Sequence, residues 1–325
     1  MKLGIEYRHL TEAYERISPH IHKTPIFSSS YINGLVEKKV YFKGEHLQKT
    51  GSFKARGALN AVLSLKEKNP ENSGVVTHSS GNHGQALAWA ARYAGMKCTV
   101  VIPSNAPAVK VAAIKDYGAD LVFCEPNPMS RQETCAKISA EKNQTIIPSF
   151  DYLDVIAGEG SIGIELMEQV PDLEAILVPI SGGGMISGIC IAAKAVKPDI
   201  KIFACEPKGK DLEYSLKAGK PMWPDPPKFV DTIADGLRVQ RLGTLTFPVV
   251  LELVEKDVFT TSDDDIIEAM KLVYQRMKQV IEPSSGVGVA ALLSDKMKKL
   301  TPDMKKVGVI LCGGNTDIEH LPWMK

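Results

Sequence analysis

The sequence lacks any C-x-x-C pair: its six cysteines, at 98, 124, 135, 190, 205 and 312, have no metal-finger spacing, which argues against structural zinc. It has almost no net charge. With 39 Lys and Arg against 38 Asp and Glu the balance is +1, so no broad field draws nucleic acid or an anionic membrane surface. No run reaches the ~18 apolar residues of a membrane span, and the amino end, Met1-Lys2-Leu3-Gly4-Ile5-Glu6, lacks the apolar centre of a signal peptide. Internal repeats and low-complexity tracts are also missing, and the most proline-rich stretch, 221–227, reads as a surface loop. What is present is ordinary globular usage: 325 residues, 44% hydrophobic and 24% charged, enough for about two domains. Cysteines inside apolar runs such as Lys97-Cys98-Thr99-Val100 suit reduced, buried thiols. The expectation is a soluble cytoplasmic protein with a small-molecule partner, no nucleic acid and no membrane.

Short runs rich in β-branched and aromatic residues recur at 40–42, 74–77, 98–102, 121–124, 175–180, 200–204 and 307–311, most followed by a turn and a helical pattern. Such alternation predicts βαβ units and parallel sheets. Ser262 with Asp265 resembles a capping box, and Ile266, Met270, Val273 and Met277 mark the apolar face of the helix that follows. The strand at Gly74 is expected to open a smaller unit, residues 71–150, inside a larger one made of 1–70 and 151–325.

Three stretches carry chemistry. The first, Ser181-Gly182-Gly183-Gly184-Met185, lies between a predicted strand and an Ala/Ile-rich helix, so backbone N–H groups and a helix N-terminus converge there as a phosphate would require. A tight turn would also have this outline, although three consecutive glycines cost conformational entropy that a plain turn need not incur. A dinucleotide site fails on spacing: Glu206 stands where a ribose-binding acid would, but the third glycine of G-x-G-x-x-G falls on Ser187. The second stretch, Thr77-His78-Ser79-Ser80-Gly81-Asn82-His83-Gly84-Gln85, also joins a strand to a helix and offers hydroxyls and amides to an anion such as a carboxylate, or simply caps the helix. In the third, Ser52-Phe53-Lys54-Ala55, a lysine in a Gly/Ser/Phe setting is either a solvated helix-start residue or a desolvated amine suited to a Schiff base. Together they point to a phosphate-bearing carbonyl cofactor.

Ser52-Phe53-Lys54, Ser79-Ser80-Gly81-Asn82-His83, Ser181-Gly182-Gly183-Gly184-Met185 and Cys312-Gly313-Gly314-Asn315 resemble, in order, the motif set of the fold-type II pyridoxal-phosphate enzymes, in the group of serine racemases and serine/threonine dehydratases. The similarity runs from about Thr24 to Asp317. It implies an α/β fold of two open, twisted, mostly parallel sheets flanked by helices, in a large and a small domain. By this resemblance Lys54 is the Schiff-base lysine, Phe53 packs beside the ring, Asn82 bonds the pyridoxal O3′, and Ser181, Gly182, Gly183 and Gly184 hold the phosphate, with Met185 also in the cofactor site. Ser181 departs from the glycine that serine racemases usually have there. Cys312 faces the pyridine nitrogen where those enzymes typically place Ser; some dehydratases have Cys. Either group is too weak an acid to keep that nitrogen protonated.

Ser79, Ser80, Asn82 and His83 are then expected to receive the substrate carboxylate, with Arg131 reaching the substrate from the small domain to bind a second carboxylate or orient a hydroxyl. Glu206 and Asp211 resemble the family's site for Mg²⁺ or Ca²⁺, with Asp211 matched across a segment one residue shorter than in vertebrate serine racemase. Ser30, Lys49, Thr50, Gln85, Tyr117 and Asn315 match positions lining an intersubunit ATP effector site, which implies a homodimer. Ten residues after Asn315 leave no room for the regulatory domain of biosynthetic threonine dehydratases. Pro148-Ser149-Phe150-Asp151 looks more like the dehydratase pattern, whereas Arg131 and the effector set favour the racemases. The expected activity is serine racemisation, with Lys54 and Ser80 as proton-transfer groups and elimination of serine to pyruvate and ammonia as a second outcome. Dehydration of threonine or 3-hydroxyaspartate and racemisation of aspartate are the alternatives.

Overall fold

A computed structural model describes residues 4–106, 108–226 and 228–324; Met1 to Leu3 of the amino end and Pro227 of the proline-rich stretch lie outside them. The strands are β1 Ile26–Phe27, β2 Lys39–Lys43, β3 Gly74–Thr77, β4 Lys97–Pro103, β5 Asp120–Cys124, β6 Thr145–Ile146, β7 Ala175–Pro179, β8 Lys201–Pro207, β9 Phe259–Thr261 and β10 Lys306–Ile310. They form a six-stranded sheet in the order β1-β2-β10-β7-β8-β9 and a four-stranded sheet in the order β5-β4-β3-β6. Every pairing is parallel except β1 with β2. The fold is therefore α/β with helices covering the sheets, which is why β3 and β7 are buried at every position and read as continuous apolar runs. All seven predicted strands are present; β1, β6 and β9, two or three residues each, are too short to leave a period in the sequence. The Ser262–Asp265 capping box forms as expected, and Ile266, Met270 and Val273 are buried behind it. The smaller sheet is built wholly from residues 74–146.

Two helices position the site, and a buried ionic network joins them. The helix Lys54–Lys68 carries Arg56, whose guanidinium is fully buried. It donates to both oxygens of Glu45, at 2.7 and 2.8 Å, and to both of Glu165, at 2.7 and 2.8 Å. Glu165 belongs to the helix Leu153–Gln169 and also accepts from Lys43 of β2 at 2.6 Å. Planar, bidentate donors are what make such burial tolerable. Replacing Arg56 by leucine leaves two carboxylates buried without their shared partner and is expected to cost about 3–5 kcal/mol. Urea unfolding checks this, and a loss below about 1 kcal/mol, the level of a surface pair, would contradict it.

Candidate active site

Lys54 opens its helix after Phe53, and the preceding Ser52 bridges through its backbone to Gly313. Its side chain is mostly buried; Nζ lies 4.6 Å from the Phe53 ring centroid, donates to the Ser149 carbonyl, and donates to Glu159 Oε1 at 2.7 Å. Glu159 is fully buried on the helix Leu153–Gln169. Burial pushes its carboxyl above the usual carboxylate range and the Lys54 charge pulls it back. Its second oxygen has no hydrogen-bond partner among the described residues. That oxygen would lie 2.5 Å from a Cβ built on Gly184, so Glu159 touches both the amine and the glycine loop. The sequence reading missed Glu159. The available signal was an acid within Ala157-Gly158-Glu159-Gly160, a glycine-rich apolar helix face where no solvent reaches.

The glycine loop follows β7 and starts the helix Gly184–Val196, with Gly183 at φ +94°, a conformation that favours glycine. A Cβ on Gly182 would lie 2.3 Å from the Phe150 ring, and one on Gly183 2.9 Å from Thr246. The Thr246 hydroxyl donates to the Gly182 carbonyl at 2.7 Å and accepts from the Gly243 N–H at 2.9 Å, bracing the loop from outside. Ser181 is half-buried and Met185 buried at the head of the helix. The first amides of a helix have no backbone acceptor within it, so this turn presents donors beside the Lys54–Glu159 pair.

Cys312 ends the strand run after β10, buried, with Sγ 3.4 Å from the Ser285 hydroxyl; burial, chiefly, holds the thiol far above its ordinary range, so it stays protonated. Beside it stands a second residue the sequence reading missed. Glu282 caps the helix Pro283–Leu293, and a Cβ on Gly313 would fall 2.7 Å from its carboxyl carbon. Asn82 donates to both Glu282 oxygens, at 2.9 and 3.0 Å, and accepts from Asn315 Nδ2 at 2.9 Å.

Ser79 and Ser80 are half-buried between β3 and the helix Asn82–Ala94, as a helix-N-terminal nest requires. The His83 side chain turns inward, with Nε2 3.0 Å from the Ile147 carbonyl, and Nδ1 has no partner among the described residues. A carbonyl oxygen accepts only from an N–H, so the proton sits on Nε2. Burial first, and then the Lys54 charge, push this imidazole down to about 3, leaving it neutral. What His83 can offer an anion is its backbone N–H. The unfolded chain takes up the proton near pH 6.5 and the folded chain near 3, so His83 contributes stability that is full above pH 6.5 and lost as pH falls through that window. We expect His83→Gln to flatten the acid limb of stability by on the order of a few kcal/mol at its lower end, measured by urea unfolding at a series of pH values. Identical slopes would eliminate His83 as the source.

Arg131, on the helix Pro128–Lys142, is half-buried, and its charge helps to hold down the half-buried His78 next to Ser79, after the effect of burial itself. The structure thus brings Arg131 to the flank of the nest. Lys49, Thr50 and Asn315 also gather: Asn315 donates to the Thr50 carbonyl at 2.8 Å, and Thr50 adopts φ +59°. Gln85 is buried in the first turns of the helix Asn82–Ala94, whereas Ser30, exposed at the start of the helix Ser30–Val36, and half-buried Tyr117 sit on other elements.

Glu206 and Asp211 do not come together as an oxygen shell. Glu206 is buried and accepts from the Leu212 N–H and the Thr260 hydroxyl, both at 3.2 Å, while Asp211 is exposed in a left-handed conformation at φ +58°. Among the described residues no group of three His, Cys, Asp or Glu side chains is placed to hold a metal. The buried neighbour of Glu206 is instead a lysine, Lys210. Burial raises the Glu206 carboxyl and lowers the Lys210 amine, and each charge opposes the shift of the other. This donor set does not fit Mg²⁺ or Ca²⁺, which take several free oxygens.

Residues 17–313 match the family model described as pyridoxal-phosphate dependent enzyme. The chain belongs to this family. It is 47% identical to serine racemase of Dictyostelium discoideum, covering 98% of this chain and 97% of that protein. It is 43% identical to serine racemase of Homo sapiens, covering 99% and 94%. Among solved structures, a pyridoxal 5'-phosphate-dependent aspartate racemase is 52% identical with a TM-score of 0.97, covering all of both chains. Maize serine racemase is 43% identical with a TM-score of 0.92, covering 97% and 94%. The site fits the family's cofactor on two counts: a sheltered amine and a backbone cradle next to it.

Proposed function

We propose that this pyridoxal-phosphate enzyme is a serine racemase that also eliminates water from serine to give pyruvate and ammonia. The observation that carries the reading is Glu159, in contact with both the Lys54 amine and the head of the glycine loop, because it fixes the reactive amine beside the phosphate cradle. Lys54 would anchor the cofactor, the loop 181–184 would take its phosphate through backbone N–H groups, and Phe53, Asn82, Met185 and Cys312 would line the rest of its site. Pyridoxal phosphate, when bound, supplies the electron sink that acidifies the Cα proton of an attached amino acid. Ser79, Ser80 and the amides of Asn82 and His83 hold the substrate carboxylate. Lys54 moves the proton on one face of Cα, and Ser80 moves it on the other. Departure of the β-hydroxyl before reprotonation gives elimination.

A homodimer with ATP bound near Lys49, Thr50, Gln85 and Asn315 extends this reading, supported by the gathering of Asn315 onto Thr50. A cytoplasmic setting is supported by six free cysteines. Aspartate is the second reading. The 52% identity to an aspartate racemase and the half-buried Arg131 guanidinium flanking the nest both favour a substrate with a second carboxylate. Incubating the holoenzyme separately with L-serine, L-aspartate, L-threonine and 3-hydroxyaspartate, and following both the opposite enantiomer and the keto acid, tests the assignment. D-serine formation supports it; D-aspartate formation with no D-serine transfers the assignment to the second reading.

A further inference from the structure

We infer that the ammonium of Lys210 is a built-in cation for the turn after β8, holding by covalent attachment the place that the sequence resemblance gives to a divalent ion. Four oxygens of the turn are already engaged. Both Glu206 oxygens accept hydrogen bonds, from Leu212 and Thr260. The Lys210 carbonyl accepts from the Trp223 indole N–H at 2.8 Å, and the Gly209 carbonyl from Gln240 Nε2 at 3.3 Å. Asp211, exposed at the start of the helix Leu212–Ala218, acts on Glu206 as a nearby charge that raises its carboxyl.

The Lys210 side chain, by contrast, runs inward and is fully buried. Its Nζ donates to the carbonyls of Val239 and, at 2.9 Å, Gln240. These are hard oxygen dipoles of the kind that surround Mg²⁺ or Ca²⁺, here gathered around the Lys210 amine. The anchored segment matters to the site. Three residues past Gln240, the Gly243 N–H meets the Thr246 hydroxyl, which in turn holds the Gly182 carbonyl of the glycine loop. The internal cation therefore steadies, through residues 239–246, the brace on the phosphate cradle. Lys210 acts as a positioning residue and touches no reacting atom.

The test uses the holoenzyme stripped with a chelator. The wild-type protein is expected to keep its Tm whether Mg²⁺, Ca²⁺ or chelator is present, and to give no saturable terbium luminescence sensitised by Trp223, which lies against the turn. Lys210→Ala is expected to lower Tm and to release pyridoxal phosphate several-fold faster on dialysis, with Mg²⁺ or Ca²⁺ recovering part of the Tm, since a ligand that binds only the folded state stabilises it. A wild-type Tm that rises with Mg²⁺ or Ca²⁺, or terbium emission that saturates, overturns the inference. So does a Lys210→Ala protein with wild-type Tm and cofactor retention. If the alanine variant does not fold, the two wild-type measurements decide alone.

Discussion

Lys54→Ala abolishes turnover of every amino-acid substrate, by about 10³-fold or more, the scale of losing a positioned acid–base group. The argument rests on geometry. Nζ is drawn to Glu159 Oε1 and the Ser149 carbonyl at the mouth of the glycine loop, where a carbonyl cofactor with its phosphate in the cradle would meet it. Lys54→Arg separates chemistry from charge. Its guanidinium can still pair with Glu159, but it does not lose its proton in proteins and so cannot act as a nucleophile or base. Both variants should be inactive, and the arginine variant should remain nearer the wild type in stability because Glu159 keeps a buried partner. Mass spectrometry of borohydride-treated wild-type protein should find the cofactor fixed to Lys54. Fixation on another lysine, or residual activity within about tenfold of wild type, would refute the assignment.

Ser80→Ala removes racemisation by about 10²–10⁴-fold while elimination from L-serine persists. Racemisation needs a proton donor on each face of Cα; elimination needs abstraction on one. Ser80 is half-buried just before the first turn of the helix Asn82–Ala94, whose leading amides have no acceptor within the helix. A serine hydroxyl is a poor base by itself, so nearby N–H donors must lower the cost of its charge. D-serine and pyruvate formation measured in parallel on one preparation decide the matter. Equal losses of both would reduce Ser80 to a substrate-positioning group, and no D-serine from the wild type would favour the dehydratase reading.

Much of this site was legible because its parts are local in sequence. A strand followed by Ser181-Gly182-Gly183-Gly184 states its own geometry, and so does Lys54 after Ser52-Phe53. Glu159 and Glu282 were not legible in that way. Each acts through a partner far along the chain, Lys54 at 105 residues' separation and Asn82 at 200. Nothing in their own neighbourhoods names that partner. The inward turn of His83 was hidden for a similar reason, since the deciding acceptor is the Ile147 carbonyl on the far side of β6. At Glu206 the residues read as ligands were the right kind of residue in a turn one position too short. In the folded turn Lys210 is buried and Asp211 exposed.

The sheet order has a consequence for how the protein reaches this state. Strand β2 pairs with β10 in register, Lys39 with Lys306 through Lys43 with Ile310, so the centre of the larger sheet waits for nearly the whole chain to be synthesised. The smaller sheet closes entirely among residues 74–146 and can condense while the rest is still emerging. Lys54 belongs to the early part, but the Gly313 backbone that bridges to Ser52 arrives almost last. Long-range parallel pairing is the slow class of folding event. Cofactor capture should accordingly mark the end of assembly, and during refolding the absorbance of bound cofactor should lag behind the recovery of secondary structure.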